Sequence, residues 1–233
     1  MVIHHPLTAQ EAVQLRKESP DDTVYFAGGT DDLRLGGAGA GKELIDINTM
    51  DEKYDTITVK DGKVWIGARC TLQQVAESDL VPEFIRQAAL LCPSFVRRQS
   101  ATIGGNVALR RTDSYTAAAL TAAEALLDSV TPHGEEMKPI GEYLPTQCKR
   151  SIRHIVVDAD RTGWVKRFGN SSAGHAALIA AQSGNMYALS VSGSPIAYGT
   201  APELARDMDF ADDLTGSAEY KKYLAETVFT MGR

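Results

Sequence analysis

The chain has 233 residues, of which 43% are hydrophobic and 23% charged, the composition of an ordinary soluble globular protein. This composition excludes a disordered or fibrous chain. Its 24 basic and 30 acidic residues give a net charge of −6, which argues against nucleic acid or anionic lipid as a partner and favours small molecules or proteins.

The first predicted elements lead into a glycine pair. Thr8 and Glu11 have the spacing of a capping box, which predicts a helix running to about Lys17. The β-rich run 23–26 follows and ends abruptly in the sequence AGGTDD at 27–32. Glycines at the end of a strand allow close backbone approach to a ligand, so this loop is a candidate binding loop.

The next part of the chain alternates between irregular and regular segments. We expect a glycine-rich irregular stretch, a short strand and a hairpin at 33–41, 44–47 and 56–68. Thr71 and Gln74 form a second capping box, which predicts a helix towards Ser78. Pro82 at a first helical position predicts another helix over 82–91.

A second glycine pair lies in the polar segment SATIGGNVALRRTDS, residues 100–114, which we expect to be a loop. The alanine-rich stretch 115–127 predicts a helix, and another begins near Ser217. The strand-like segments between them are 152–157, 164–168, 176–181 and 186–192. Hairpins mixed with helices, without regular alternation, indicate an α+β fold, with a soft boundary near 158–163.

Both glycine pairs suit the binding of an anion. Glycine lets successive backbone amides converge into a nest, which is a geometry that fits a diphosphate. Thr30, Thr102 and Asn106 add side-chain donors. Each loop by itself is weak evidence, because a glycine pair after a strand is more often a plain turn. Neither loop is a GxGxxG fingerprint or a Walker sequence, so a Rossmann dinucleotide site and a P-loop hydrolase are not indicated.

Cys70, Cys92 and Cys148 are far apart and odd in number, which predicts reduced thiols in or near the core and no zinc site or disulfide framework. An iron–sulfur cluster held by four cysteines of this chain is excluded by the count. No apolar run approaches the ~20 residues of a membrane span. The N-terminal residues do not resemble a signal peptide. We therefore expect a cytoplasmic protein with no membrane span.

The joint pattern of the loops resembles one family. The segments AGGTDD, IGARCT and ATIGGN, at 27–32, 66–71 and 101–106, resemble loops of the FAD-binding medium subunit of the xanthine dehydrogenase and carbon monoxide dehydrogenase group. GSAEYKKYLAETV at 216–228 is similar to the end of that subunit's C-terminal domain. The resemblance covers nearly the whole chain in order. Within the group, VRRQSATIGG and ALRRTDS look closest to the flavoprotein subunits of selenate reductase type.

The resemblance implies a two-lobed FAD-binding domain of the vanillyl-alcohol oxidase type over 1–160, with its lobes split near 50–55. A small α+β domain over 161–233 would follow. It implies an electron-transfer subunit of a molybdenum hydroxylase, in which FAD takes electrons from a partner's iron–sulfur clusters and passes them to NAD+ or another acceptor. The implied partners are an iron–sulfur subunit or domain and a molybdopterin-containing large subunit.

The resemblance also implies which residues contact the FAD, with no catalytic side chain among them. Asp113 would approach the flavin or its ribitol, and Lys166, or its neighbour Arg167, would lie near the isoalloxazine. Ile152 would contribute a loop contact. The complete implied set is Ala27, Gly28, Gly29, Thr30, Asp31, Asp32, Thr102, Ile103, Gly104, Gly105, Asn106, Asp113, Ile152 and Lys166. We expect positive φ at Gly104 or Gly105, and non-covalent FAD, because neither loop contains histidine or cysteine.

Some residues depart from the family's pattern and keep alternatives open. Arg110, Arg111 and Thr112 stand where the family often has Ser and Pro, and Gln99 stands where it usually has Asn. A non-catalytic assembly module that has lost its flavin is therefore an alternative function. A stand-alone flavin reductase similar to UDP-N-acetylenolpyruvoylglucosamine reductase is a second one. Asp113 could equally cap the alanine-rich helix.

Overall fold

The computed structural model describes residues 2–146, 150–171 and 174–230. The strands of these residues are β1 (Ile3–His4), β2 (Thr23–Phe26), β3 (Glu43–Asp46), β4 (Ile57–Lys60), β5 (Lys63–Gly67), β6 (Leu126–Thr131), β7 (Gly134–Pro139), β8 (Ser151–Asp158), β9 (Trp164–Phe168), β10 (Leu178–Ser183), β11 (Met186–Val191) and β12 (Ala197–Gly199). The helices are α1 (Ala9–Glu18), α2 (Leu72–Glu77), α3 (Glu83–Leu90), α4 (Phe95–Ser100), α5 (Ile103–Ala108), α6 (Ala117–Ala122), α7 (Ile140–Tyr143) and α8 (Ala218–Thr227). Short 3-10 helices occur at Ile47–Thr49 and Leu204–Asp207.

The strands form three sheets. A parallel three-stranded sheet has the order β1-β3-β2, with Phe26 opposite Asp46 at the carboxyl ends of its strands. An antiparallel five-stranded sheet has the order β4-β5-β8-β6-β7, and an antiparallel four-stranded sheet has the order β12-β11-β10-β9. The loop that begins at Ala27 thus leaves the carboxyl end of a parallel strand, a place where open sheets bind ligands.

Helix starts follow the predicted caps. Thr71 accepts from the Gln74 amide at 3.1 Å, and the Gln74 side chain accepts from the Thr71 amide at 2.7 Å, which confirms the second capping box. The Thr8 hydroxyl accepts from the Glu11 amide at 3.2 Å, but the Glu11 carboxylate accepts from the Leu7 amide instead of the Thr8 amide. In the first capping box, the bond from the Glu11 side chain is therefore made to the residue before the N-cap.

The helix predicted over 115–127 is wrong beyond its first part. Helix α6 ends at Ala122, Glu124 takes a left-handed φ of 55°, and β6 begins at Leu126. The helix propensity of alanine is weak compared with pairing in a sheet, and β6 pairs on both sides, with β7 and β8. The β6–β7 hairpin was not among the elements predicted from the sequence.

The loop predicted over 100–114 is also partly wrong, because it contains helix α5 with Thr102 as its N-cap. Gly104 and Gly105 lie in the first turn of this helix and neither has positive φ, contrary to expectation. Helix α4, just before this segment, was not predicted either.

The main core lies between the five-stranded sheet and helices α2, α3 and α6, and it reaches the third sheet. Ile179 and Ala181 of β10 point into this core, while Leu178 and Ala180 pack with α8 residues such as Leu224. Because side chains alternate along a strand, the third sheet is buried on both faces.

The thiols of Cys70 and Cys92 are free and fully buried, which confirms the prediction for these two, and Cys148 lies outside the described residues. Burial raises the pKa of Cys70 to about 11. Among the residues that the structure describes, no helix has the length and apolar character needed to cross a membrane.

Candidate functional site

The loop after β2 has a backbone that requires glycine. Gly29 has a φ of +67°, where a side chain would be strained. A Cβ on Gly28 would lie 1.8 Å from the carbonyl oxygen of Ser100, so a side chain there is impossible without movement. The first glycine loop therefore packs directly against the end of α4, which leads into the second loop.

The amides of the first loop are open. Within the described part of the chain, the N–H groups of 28–32 donate no hydrogen bond, whereas the next amide, that of Leu33, donates to the Gly29 carbonyl at 3.1 Å. A run of backbone amides around a left-handed glycine is an anion-binding nest.

The amides of 103–105 in the second loop are already used. Ile103 donates to the Cys70 carbonyl and Gly104 to the Ala68 carbonyl, both at 2.9 Å. Gly105 donates to the Thr102 hydroxyl at 3.1 Å. A Cβ on Gly104 would lie 2.6 Å from the Ala68 Cβ, so this glycine permits close packing of α5 on the end of β5.

Most of the residues implied by the resemblance line one cavity of about 350 Å³. Those that line it are Ala27, Gly28, Gly29, Thr30, Asp31, Asp32, Thr102, Gly104, Gly105, Asn106 and Ile152. The Asn106 side-chain oxygen accepts from the Ser114 and Thr116 hydroxyls, each at 2.7 Å, which fixes its orientation. Ile103, Asp113 and Lys166 are not among the lining residues.

These last three side chains are engaged elsewhere. Ile103 is fully buried in the main core. Asp113 accepts two hydrogen bonds from Arg111, at 2.7 and 2.9 Å, and lies 2.7 Å from Nδ1 of His175. Burial acts to raise the pKa of Asp113, but Arg111 and His175 together hold it below its ordinary value.

Asp113 does not cap α6, so that alternative is wrong. The N-cap of α6 is Thr116, and the Ser114 hydroxyl accepts from the Ala117 amide at 3.2 Å.

The two basic candidates of β9 do not line the cavity. Lys166 is exposed, with its Nζ 5.1 Å from the centroid of the Trp164 ring. Arg167 donates to the carbonyls of Ser171 and Gly174 in the loop that follows its own strand. A flavin contact of either residue stays a prediction.

Four basic residues that the glycine loops did not predict also line the cavity. They are Arg16, Lys42, Arg110 and Arg150. Arg16 is anchored by the carbonyls of Pro20 and Thr23. These cations come from separate elements of the chain, so no local sequence motif predicts that they line one cavity. Only Arg110 stood out in the sequence, as a departure from the family's pattern.

Arg110 is held in an uncommon conformation with a φ of 49°. Its guanidinium donates to the Thr146 carbonyl and lies 5.3 Å from the centroid of the Tyr143 ring. Arg150 lies 5.4 Å from the same ring. A buried aromatic ring with two guanidinium groups near it thus forms part of the cavity wall.

Two adjacent carboxylates, Asp31 and Asp32, line the cavity, and their pKa values are shifted in opposite directions. Asp31 accepts from Arg34 at 2.7 Å and from the Ala38 amide at 3.1 Å. Despite the opposing effect of burial, these contacts lower the pKa of Asp31. Asp32 has no hydrogen bond or ion pair with any described residue, and burial together with the charge of Asp31 raises its pKa to about 6.

Comparison with known proteins gives the family. Residues 1–158 match the model of the FAD binding domain in molybdopterin dehydrogenase. The chain is 30% identical over 177 residues to the uncharacterized protein YgfM of Escherichia coli strain K12, covering 76% of this chain and 66% of that one. It is 26% identical over 162 residues to the xanthine dehydrogenase FAD-binding subunit of Escherichia coli O157:H7, covering 65% and 53%. The matches thus span between about half and two thirds of the length of these relatives.

Solved structures show the same fold at lower identity. The carbon monoxide dehydrogenase from Hydrogenophaga pseudoflava matches with a TM-score of 0.87 at 22% identity, covering 99% of this chain and 95% of that one. Quinoline 2-oxidoreductase from Pseudomonas putida 86 matches with a TM-score of 0.83 at 15% identity, covering 99% and 94%. These matches confirm the predicted α+β fold. Since the family model covers residues 1–158, the chain belongs to the family of FAD-binding domains of molybdopterin dehydrogenases.

Proposed function

We propose that this chain binds FAD non-covalently in the cavity and acts as an electron-transfer subunit of a molybdenum hydroxylase. Electrons would pass from the iron–sulfur clusters of a partner to NAD+ or another acceptor, in the cytoplasm. The observation that carries the proposal is the row of open amides at 28–32, which lies in the wall of a cavity with four basic side chains.

The described residues fit a dinucleotide with a diphosphate. Open amides can donate to phosphate oxygens without a side chain in the way, and Gly29 supplies the left-handed turn in this segment of the cavity wall. Four cations against two carboxylates leave the wall with a positive balance at neutral pH, which suits a ligand with two negative charges.

The lining residues also agree with non-covalent binding. None of the described residues around the cavity is a histidine or a cysteine. Val24, Ile47 and Ile152 supply apolar surface that excludes water from a planar ring.

The protein would contribute position and electrostatics. A flavin accepts electrons singly and releases them as a pair, so FAD supplies the redox chemistry. Backbone amides of the first loop would hold the diphosphate, and α5 would form a rigid part of the cavity wall because the amides of 103–105 already donate hydrogen bonds within the protein. No side chain is needed as a nucleophile or general acid.

The remaining parts of the proposal concern organisation and partners. A FAD-binding domain over 1–160 and a small domain over 161–233 divide the chain between β8 and β9. Substrate hydroxylation would occur on a molybdopterin-containing large subunit. The clusters would belong to an iron–sulfur subunit or domain, because the three cysteines of this chain are too few to ligate one.

Titration of the purified full chain with FAD tests the binding. We expect quenching of flavin fluorescence at a stoichiometry of one. Gly105→Val should weaken binding, since the residue lines the cavity and a Cβ there meets nothing within 4 Å except the Thr102 hydroxyl, at 2.9 Å. Gly199→Val is the matched control on the edge strand β12, where a Cβ meets only Leu204 at 3.4 Å. A folded wild-type chain that leaves flavin unquenched would favour the assembly module instead.

Activity assays test the assignment as a subunit. The isolated chain loaded with FAD should not hydroxylate purines, aldehydes or other substrates with an artificial acceptor, because hydroxylation would occur on the molybdopterin-containing partner. Hydroxylation by the single chain would contradict the proposal. Rapid turnover of NADH by the chain alone, with no protein co-purifying, would favour the stand-alone reductase.

A further inference from the structure

Asn48 lies in the short 3-10 helix after β3, and its side chain reaches the start of the first glycine loop. Its Nδ2 donates to the Ala27 carbonyl at 3.0 Å and to Oδ1 of Asp46 at 2.9 Å. Because a carbonyl and a carboxylate only accept hydrogen bonds, these two partners fix which end of the Asn48 amide faces the loop. The contact connects the end of β2 to the segment that follows the neighbouring strand β3.

The peptide group between Ala27 and Gly28 is the one that this contact orients. A trans peptide group is planar, so its C=O and its N–H point in opposite directions. None of the described peptide bonds is cis. Because the Ala27 carbonyl points at Asn48, the Gly28 N–H points away from it. That N–H donates no hydrogen bond to a described residue, and Gly28 belongs to the cavity wall, whereas Asn48 does not.

The backbone of Asn48 is held at both its N–H and its C=O. The Asp46 carboxylate accepts from the Asn48 backbone amide at 3.0 Å. The guanidinium of Arg69 donates to the carbonyls of Ile47 and Asn48, at 3.0 and 3.2 Å. Arg69 follows β5, and its own amide donates to the Tyr54 carbonyl at 2.7 Å. Although Asn48 is exposed, the five-stranded sheet therefore supports the segment that carries it.

Packing on the other side of the loop acts differently from this hydrogen bond. The backbone of Gly28 lies so close to the Ser100 carbonyl oxygen that a Cβ would be 1.8 Å from it. Such packing limits where the Gly28 backbone lies, whereas the bond from Asn48 acts on the rotation of the peptide plane. Since glycine adopts more backbone conformations than other residues, the rotation of this plane benefits from a separate restraint.

We propose that Asn48 is a positioning residue for the diphosphate of bound FAD. It holds the Ala27–Gly28 peptide group in the rotation that leaves the Gly28 N–H available to a phosphate oxygen. The inference rests on the proposed function, because it assumes FAD in this cavity. Asn48 itself does not contact the cofactor and acts through the glycine loop.

The test compares Asn48→Ala with Asn185→Ala as the matched control. Both asparagines are exposed, but Asn185 lies in the turn between β10 and β11 and makes no hydrogen bond with a described residue. Asn48→Ala should raise the Kd for FAD by about fivefold, the effect of weakening one hydrogen bond, and Asn185→Ala should leave it unchanged. Quenching of flavin fluorescence measures the Kd.

Phosphorus NMR of the FAD-saturated proteins separates positioning from a purely structural role. The diphosphate resonances should shift in Asn48→Ala relative to the wild type and stay in place in Asn185→Ala. A raised Kd together with shifted resonances supports the inference, because a loss of stability alone would leave the environment of the bound diphosphate unchanged.

Two results overturn the inference while the proposed function stands. One is a wild-type Kd in Asn48→Ala, and the other is a raised Kd with wild-type phosphorus resonances at saturation. Absence of FAD binding by the wild-type chain overturns both the inference and the proposed function.

Discussion

Asp32 should make the apoprotein less stable as the pH rises from about 4 to above 6, because its pKa is higher in the folded protein than in the unfolded chain. This carboxylate lies in the cavity wall next to Asp31 and has no partner within the described part of the chain. Its pKa rises from the ordinary 3.8 to about 6, through burial first and the charge of Asp31 second. The substitution Asp32→Asn removes the charge while keeping the size and shape of the side chain.

The sign follows from which state binds the proton more tightly. The folded state has the higher pKa, so Asp32 contributes stability below about pH 4 that is lost as the pH rises to about 6 and above. At 1.36 kcal/mol for each pH unit, the full effect is roughly 3 kcal/mol. Because the side chain keeps contact with solvent, screening reduces this to about 1.5 kcal/mol.

Urea denaturation of the apoprotein at pH 4.5 and pH 7.5 measures this effect. Asp32→Asn should be more stable than the wild type by about 1.5 kcal/mol at pH 7.5 and by only about 0.5 kcal/mol at pH 4.5. Asp31→Asn is the control with the opposite sign, since its hydrogen bonds lower the pKa of Asp31 and the charged form is stabilising. An Asp32→Asn variant that is less stable than the wild type at pH 7.5 would refute the reasoning.

Further predictions concern packing, a buried charge and the flavin linkage. Gly104→Ala should lower the free energy of unfolding by about 1–3 kcal/mol, because its Cβ would lie 2.6 Å from that of Ala68, whereas Gly105→Ala should change it by less than about 1 kcal/mol; equal effects in urea denaturation would contradict this. Lys221 is fully buried and its Nζ lies 2.7 Å from Asp213. Lys221→Met should therefore lower the free energy of unfolding by roughly 2–3 kcal/mol, which is less than for a fully buried pair because Asp213 is one third exposed. An unchanged urea midpoint would contradict this. Acid precipitation of the flavin-loaded chain should release all the flavin, and a yellow pellet would show a covalent link.

Features that depend on a few neighbouring residues could be predicted from the sequence. The cap at Thr71 and the helix start near Ser217 could be predicted, because a hydroxyl and the amide three residues on are enough to form each cap. The end of α6 could not be foreseen in this way. It is set by the pairing of Leu126 with Pro139 and Val156, which are distant in sequence, and this pairing overrides the alanine run before it.

The candidate site shows the same division. The loop 27–32 has a local signal, since a strand, a glycine pair and polar residues follow one another directly. The cationic part of the wall has no such signal, because Arg16 belongs to α1 and Arg150 precedes β8. These two residues meet around the cavity only because α1 packs against β6 and β8 in the folded chain.

The two glycine pairs look equivalent in the sequence, yet the fold uses them for different purposes. At Gly28 and Gly29 the backbone turns through a left-handed residue and leaves its amides open, which is what an anion requires. At Gly104 and Gly105 the backbone is helical and each amide already has an acceptor, so the missing side chain of Gly104 serves contact with Ala68 instead. Glycine in a sequence signals only that a side chain is absent. Whether a ligand or another part of the protein takes that space depends on which amides remain without a hydrogen bond after folding.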